Sequence, residues 1–122
     1  MGSCSSGLDQ ERMESCVNQT LATLKTAITE KQWQAQVVEL ALHLGWRKIY
    51  HTWNSMHSAK GFPDLVMARE RCVMIECKSE TGKLKPDQQD WIEALEQAGV
   101  EVYVWRPSHW DEAVKVLSRR NP

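Results

Sequence analysis

No stretch of this chain approaches the ~20 consecutive apolar residues needed to cross a bilayer, and its start lacks the charged-then-apolar order of a secretory signal. A soluble, cytoplasmic or otherwise intracellular protein with no membrane partner is therefore expected. Met1-Gly2-Ser3-Cys4-Ser5-Ser6 does satisfy the loose N-myristoylation pattern, although a Ser/Gly-rich start is more often simply a tail. The four cysteines, Cys4, Cys16, Cys72 and Cys77, contain no C-x-x-C and no secreted framework. Cys72 and Cys77 fall in a strand-like run, where a free thiol behaves as a small apolar side chain. His43, His51, His57 and His109 lack the paired spacing of a zinc site. Glycine-rich phosphate loops and Ser/His or Cys/His nucleophile arrangements are also missing. Net charge is only -1, so any contact with nucleic acid must come from a local basic patch. Lys60, Lys83, Lys85 and Arg119-Arg120 are the candidates.

What the chain does hold is enough for one hydrophobic core in 122 residues. Residues 1–28 read as a tail and helical extension, and 29–122 as the single domain. Met13, Val17, Leu21 and Leu24 have helical spacing from Asp9 to about Lys25, a helix expected to pack on the core or on a second subunit. Thr29 with Gln32 matches a capping box, and Gly45 closes the helix it opens. Trp46 to Trp53 reads as a first strand and 54–61 as a polar loop. Leu65–Ala68 and Val73–Cys77 form a hairpin around Glu70-Arg71. Pro86 sits in the first turn of a helix running to Gly99. Val100–Trp105 is a last strand, and Ser108 with Asp111 caps a helix to about Ser118. This order predicts an α/β fold, a central mixed sheet flanked by helices. The six tryptophans are core by default, with Trp53, beside the polar loop, a candidate to touch substrate.

Two segments carry chemistry: Gly61-Phe62-Pro63-Asp64 and, after eleven intervening residues, Glu76-Cys77-Lys78. Side chains alternate along a strand, so Glu76 and Lys78 share a face from which Cys77 points away. An acid and a lysine at the end of an apolar run are costly to bury unless paired or coordinating something. The plainer alternative is a strand end emerging into solvent. Asp64 joins the set only if it opposes Glu76 across the hairpin, since directly opposed residues share a face. A two-residue turn at Glu70-Arg71 would place Asp64 opposite Cys77, on the wrong face. A three-residue connection, Arg69 to Arg71, or a bulge is therefore predicted.

Two glutamines extend the set. Gln88 lies on the Trp91, Ile92, Leu95 and Ala98 stripe of its helix, and Gln34 falls with Val37, Val38 and Ala41. Glu30 precedes Gln34 by one turn. Either amide could instead satisfy buried backbone. Oxygen ligands suit Mg²⁺, and a lysine beside the metal stabilises charge that develops on a phosphate.

Gly61-Phe62-Pro63-Asp64, the eleven-residue gap, Glu76-Cys77-Lys78, Leu84-Lys85-Pro86-Asp87-Gln88 and Val102-Tyr103-Val104-Trp105-Arg106-Pro107 resemble the VRR-NUC (virus-type replication-repair nuclease) branch of the PD-(D/E)xK superfamily. The resemblance runs from about Thr29 to Trp110. It implies a restriction-endonuclease-like core, αβββαβ around a four-stranded sheet, with an extra helix at each end. It also implies a Mg²⁺- or Mn²⁺-dependent DNA endonuclease. Its metal would be held by Asp64, Glu76 and the Cys77 backbone carbonyl, with Lys78 orienting the attacking water and Gln88 in the family's glutamine position. Gln34 stands where many relatives carry a glutamate, so Gln34 or Glu30 would supply any contribution from the first helix. Small relatives act as homodimers on branched DNA such as junctions, which implies a dimer here, with residues 9–25 a candidate interface. His51, Ser55, Lys60, Lys83 and Lys85 are the candidate DNA contacts. A non-catalytic DNA-binding or assembly module, and a structural domain whose acids merely form ion pairs, are the alternatives.

Overall fold

The computed structural model describes residues 27–53 and 58–120. The helix expected over residues 9–25, together with Ser55 and His57, lies outside them.

The first described helix, α1 (Glu30–His43), begins as its capping residues dictate. Gln32 donates its backbone N–H to Thr29 Oγ1 at 3.1 Å, and Gln32 Oε1 accepts the Thr29 N–H at 3.0 Å. It ends in a Schellman turn. Gly45, at φ +94°, lets its own N–H reach Leu42 O and the Trp46 N–H reach Ala41 O. That turn corrects the expected first strand. Trp46 is fully buried and gives its indole N–H to Leu117 O at 2.9 Å. It serves the helix end and the core, and β1 starts only at Lys48, spanning Lys48–His51.

β2 (Leu65–Ala68) and β3 (Cys72–Cys77) form the hairpin, followed by α2 (Pro86–Gln97) and β4 (Glu101–Trp105). A 3₁₀ turn over Pro107–His109 leads into α3 (Trp110–Ser118). Ser108 therefore lies inside the 3₁₀ turn and does not cap α3; its N–H binds Glu80 at 2.9 Å. The sheet is four-stranded and mixed, in order β1-β2-β3-β4, with β1/β2 and β2/β3 antiparallel and β3/β4 parallel.

The strands' period of two sorts the faces. Leu65, Met67, Val73, Ile75, Cys77 and Trp105 join one buried cluster with Trp33, Val37 and Ala41 of α1 and Ala113, Val116 and Leu117 of α3. Each of the Val, Leu, Ile and Met side chains contributes roughly 1.5–3 kcal/mol of burial. α2 packs on the opposite face, burying Ile92, and Ala98 at its end is exposed. Cys77 is a core side chain as expected, whereas Cys72, at the hairpin end, is exposed. Of the tryptophans, Trp33, Trp46 and Trp105 are buried, but Trp53 is 77% and Trp110 39% exposed. Among the described residues no helix is long and apolar enough to cross a membrane.

Candidate active site

The hairpin turn decides whether the acids meet. Ala68 pairs with Cys72 and Leu65 with Ile75, so the connection is the three residues Arg69 to Arg71, and the register carried one step on sets Asp64 opposite Glu76. Both then project from the α2 face of the sheet, at the end away from the turn. The predicted parity holds.

Main-chain geometry reinforces that placement. Lys78 donates its N–H to Trp105 O on β4 at 3.0 Å. The preceding peptide of Cys77 therefore points the other way, and its N–H meets Asp64 Oδ2 at 2.9 Å. Amide and carbonyl of one strand residue lie on the same side, so the Cys77 carbonyl also faces the Asp64 side. Asp64 is pinned from β1 as well: Thr52 donates its N–H to Asp64 O at 2.8 Å and its hydroxyl to Pro63 O at 2.7 Å. Gly61 packs the same loop against α2. It adopts φ +92°, and a Cβ there would lie 2.4 Å from the Asp87 carbonyl carbon and oxygen. Phe62 meets Trp91 edge-to-face at 5.1 Å.

Glu76 is 1% exposed and Lys78 6%. Gln88 bridges helix and sheet, accepting the Lys85 N–H on Oε1 at 2.9 Å and donating its amide to Glu76 Oε2 at 3.1 Å. Lys78 Nζ lies 4.0 Å from Glu76 Oε2 and 3.7 Å from Glu30 Oε1. Glu76 Oε1 is buried with no N–H or hydroxyl donor, and the Glu76 carboxyl lies close enough to Asp64 to share a hydrogen bond with it when one of the two is protonated. The electrostatics follow. Burial, and then repulsion from Asp64, push the Glu76 carboxyl up to about 8 against the opposing pull of Lys78. Burial also raises Asp64, although the bond from Cys77 N–H works against it. Burial, with Asp64 and Glu76 nearby, drives the Cys77 thiol well up, so it is an inert core group.

Not every candidate joins the cluster. Gln34 Nε2 lies 3.3 Å from His51 Nδ1, and Glu30 is the α1 residue that reaches the Lys78 end. Lys60, Lys83 and Lys85 are exposed on the segments flanking the site. Arg119 is drawn to the other end of the sheet, where it pairs with Glu101 at 3.3 Å. Arg120 is also at that end, its guanidinium near Gly45. Thr52 carries no signal in the sequence, because its bonds to residues 63 and 64 exist only once β1 pairs with β2.

The donor set fits a hard divalent cation: carboxylate and carbonyl oxygens, no nitrogen or sulfur, and a buried oxygen lacking an N–H or hydroxyl donor. Among the described residues no group of three or more His, Cys, Asp or Glu is placed to hold a metal. Two carboxylates would need main-chain oxygen and water to complete the shell, which is how Mg²⁺ is ordinarily bound.

Comparison with known proteins agrees with the architecture. The family model described as the VRR-NUC domain matches residues 8–109. A solved structure titled "VRR_NUC domain protein" superposes with a TM-score of 0.56 at 23% sequence identity, covering 73% of this chain and 84% of that one. No curated protein matches the chain.

Proposed function

Because the chain belongs to the VRR-NUC family of nuclease domains, we propose that it is a metal-dependent DNA endonuclease that hydrolyses phosphodiester bonds, selective for branched DNA and acting as a homodimer. The observation that carries this reading is the buried, under-partnered Glu76 beside Asp64 and Lys78. Two carboxyls crowded together in a buried setting, with no N–H or hydroxyl donor for Glu76 Oε1, are expensive to maintain, and such cost is characteristic of sites built to bind.

Asp64, Glu76 and the Cys77 carbonyl would hold Mg²⁺ or Mn²⁺, which when bound supplies charge neutralisation and an acidified water. The chain's own residues do the rest. Gln88 donates to one oxygen of Glu76 and leaves the other without an N–H or hydroxyl donor. Glu30 and Glu76 flank Lys78 Nζ at 3.7 and 4.0 Å, and its ammonium would stabilise negative charge growing on a phosphate bound beside it. Thr52 and Gly61 keep the Asp64 loop from shifting, and a shift of an ångström is enough to cost rate.

Asp64→Ala and Lys78→Ala should preserve the circular dichroism spectrum while lowering Mg²⁺-dependent cleavage of a branched-DNA panel by about 10²-fold or more. Purified variants that cut at the wild-type rate would refute the assignment. If wild-type protein bound DNA but never cut it with Mg²⁺ or Mn²⁺, the non-catalytic alternative would replace it.

A further inference from the structure

The sheet has two outer edges, β1 and β4, and they differ sharply in chemistry. Along 47–53, Arg47, Lys48, Tyr50, His51 and Trp53 are all exposed, Tyr50 at 61% and Trp53 at 77%, with only Ile49 and Thr52 partly covered. No residue of β4 is fully exposed and none is cationic. The outward side of α2 carries Asp87, Asp90, Glu93 and Glu96, all exposed, and the helix contains no lysine or arginine. A polyanion is thus repelled along the outward side of α2 and attracted along β1, with Lys60, Lys83 and Lys85 adding positive charge on the segments beside the cluster.

β1 also ends in the right place. Its register, His51 against Leu65, brings Thr52 beside Asp64, and the Thr52 bonds to Asp64 O and Pro63 O fix the backbone just before Trp53. An indole left mostly in water costs apolar exposure that the core could have avoided. Lys48 and Tyr50 alternate onto the face that carries Asp64 and Glu76, and Arg47 and His51 onto the other, so the open edge between them presents cations and aromatics to a single strand running along it, phosphates on the cations and base faces on the rings. Within an intact duplex the base faces are already stacked on one another, so away from the duplex ends an indole can stack only on an unpaired base.

We propose that the β1 edge, Arg47 to Trp53, carries a single-stranded segment of DNA toward the cleavage centre, with Trp53 stacking on an unpaired base beside the scissile phosphate. This rests on the nuclease reading above and names the strand state that the site selects.

The test measures binding of the full chain by fluorescence anisotropy, with Ca²⁺ in place of Mg²⁺, to a single strand, a blunt duplex and a duplex bearing a single-stranded flap. Trp53→Ala should weaken binding to the single strand and the flap roughly 5- to 150-fold, the range for loss of one base–aromatic stack. Blunt-duplex binding should stay within about twofold, and Trp53→Phe should retain most of the affinity because a ring remains. Arg47→Glu with Lys48→Glu should flatten the salt dependence of single-strand binding by about 0.7 in log–log slope for each phosphate no longer neutralised. Lys115→Glu, at an exposed position of α3, should leave that slope unchanged. If wild type binds and cuts flapped DNA while Trp53→Ala matches it on all three substrates, or loses affinity equally on all three, this inference falls and the nuclease reading stands. If wild type neither binds nor cuts any of them, both fall.

Discussion

Glu76 and Glu101 lie on neighbouring strands of one sheet, yet their carboxyls are driven in opposite directions. At the turn end of the hairpin, burial alone would raise Glu101, but Tyr103 and Arg71 hydrogen-bond it and Arg71 and Arg119 add positive charge, so it titrates below the ordinary range. Its cations are well employed too. Arg69 and Arg71 lie over the Trp46 ring, their guanidinium carbons 4.5 and 5.1 Å from its centre. Their guanidiniums donate to Leu44 O at the end of α1 and to Leu117, Val116 and Arg119 carbonyls at the end of α3, where helix carbonyls lack partners. At the acid end the balance reverses. Glu76 is more deeply buried, sits against a second carboxylate and keeps an oxygen without an N–H or hydroxyl donor. Charges at the turn end complete the fold, whereas those at the acid end burden it, and that difference distinguishes scaffold from site.

Three experiments press on this contrast, in descending order of expected effect on stability. Gly61→Ala should be the most damaging. The left-handed backbone costs a β-carbon about 1–2 kcal/mol, and the overlap with Asp87 adds strain of about 1–3 kcal/mol. Cleavage should fall with it, because Asp64 moves; a fully active, stable variant in denaturant titration would show the loop is not held as described. Arg71→Ala should cost about 2–3 kcal/mol through its lost charged hydrogen bonds, with cleavage per folded molecule unchanged. A drop in kcat at full folding would erase the distinction between the two ends.

Glu76→Gln should act in the opposite direction. In metal-free protein the raised carboxyl means the native state binds more protons than the unfolded chain between pH 4.5 and about 8. Stability from this group is therefore present below pH 4.5 and lost as pH climbs through about 8. Thermal melts of the wild type without metal should decline across that window, and Glu76→Gln should flatten the decline, melt higher at pH 8 and lose cleavage. Glu101 carries the reverse sign, its contribution fading as pH falls below 4.5. If Glu76→Gln left the pH profile of melting unaltered, the carboxyl would not be the burden proposed.

Much of this was legible one residue at a time. The capping box at Thr29, the glycine closing α1, Pro86 opening α2 and the hairpin each follow from local chemistry and strand alternation. Even the three-residue turn could be predicted, because only that parity lets Asp64 face Glu76. Local reading failed where a residue's partner was remote. Trp46 has strand propensity but answers to Ala41 and Leu117, Ser108 looks like a cap but serves Glu80, and Gln34 looks inward yet meets His51.

The order of amino acids by itself determined most of the elements among the described residues, the faces their strands bury and that two acids and a lysine share one side of the sheet, because periodicity, capping and turn chemistry act over a few residues. Tertiary packing alone decided which of the charged side chains would find partners. Arginines at the turn meet the ends of two helices, while Glu76 meets Gln88, Lys78 and a like charge. Whether a charge is satisfied depends on groups brought within a few ångströms from distant positions, and only the closed sheet with its helices in place supplies those distances.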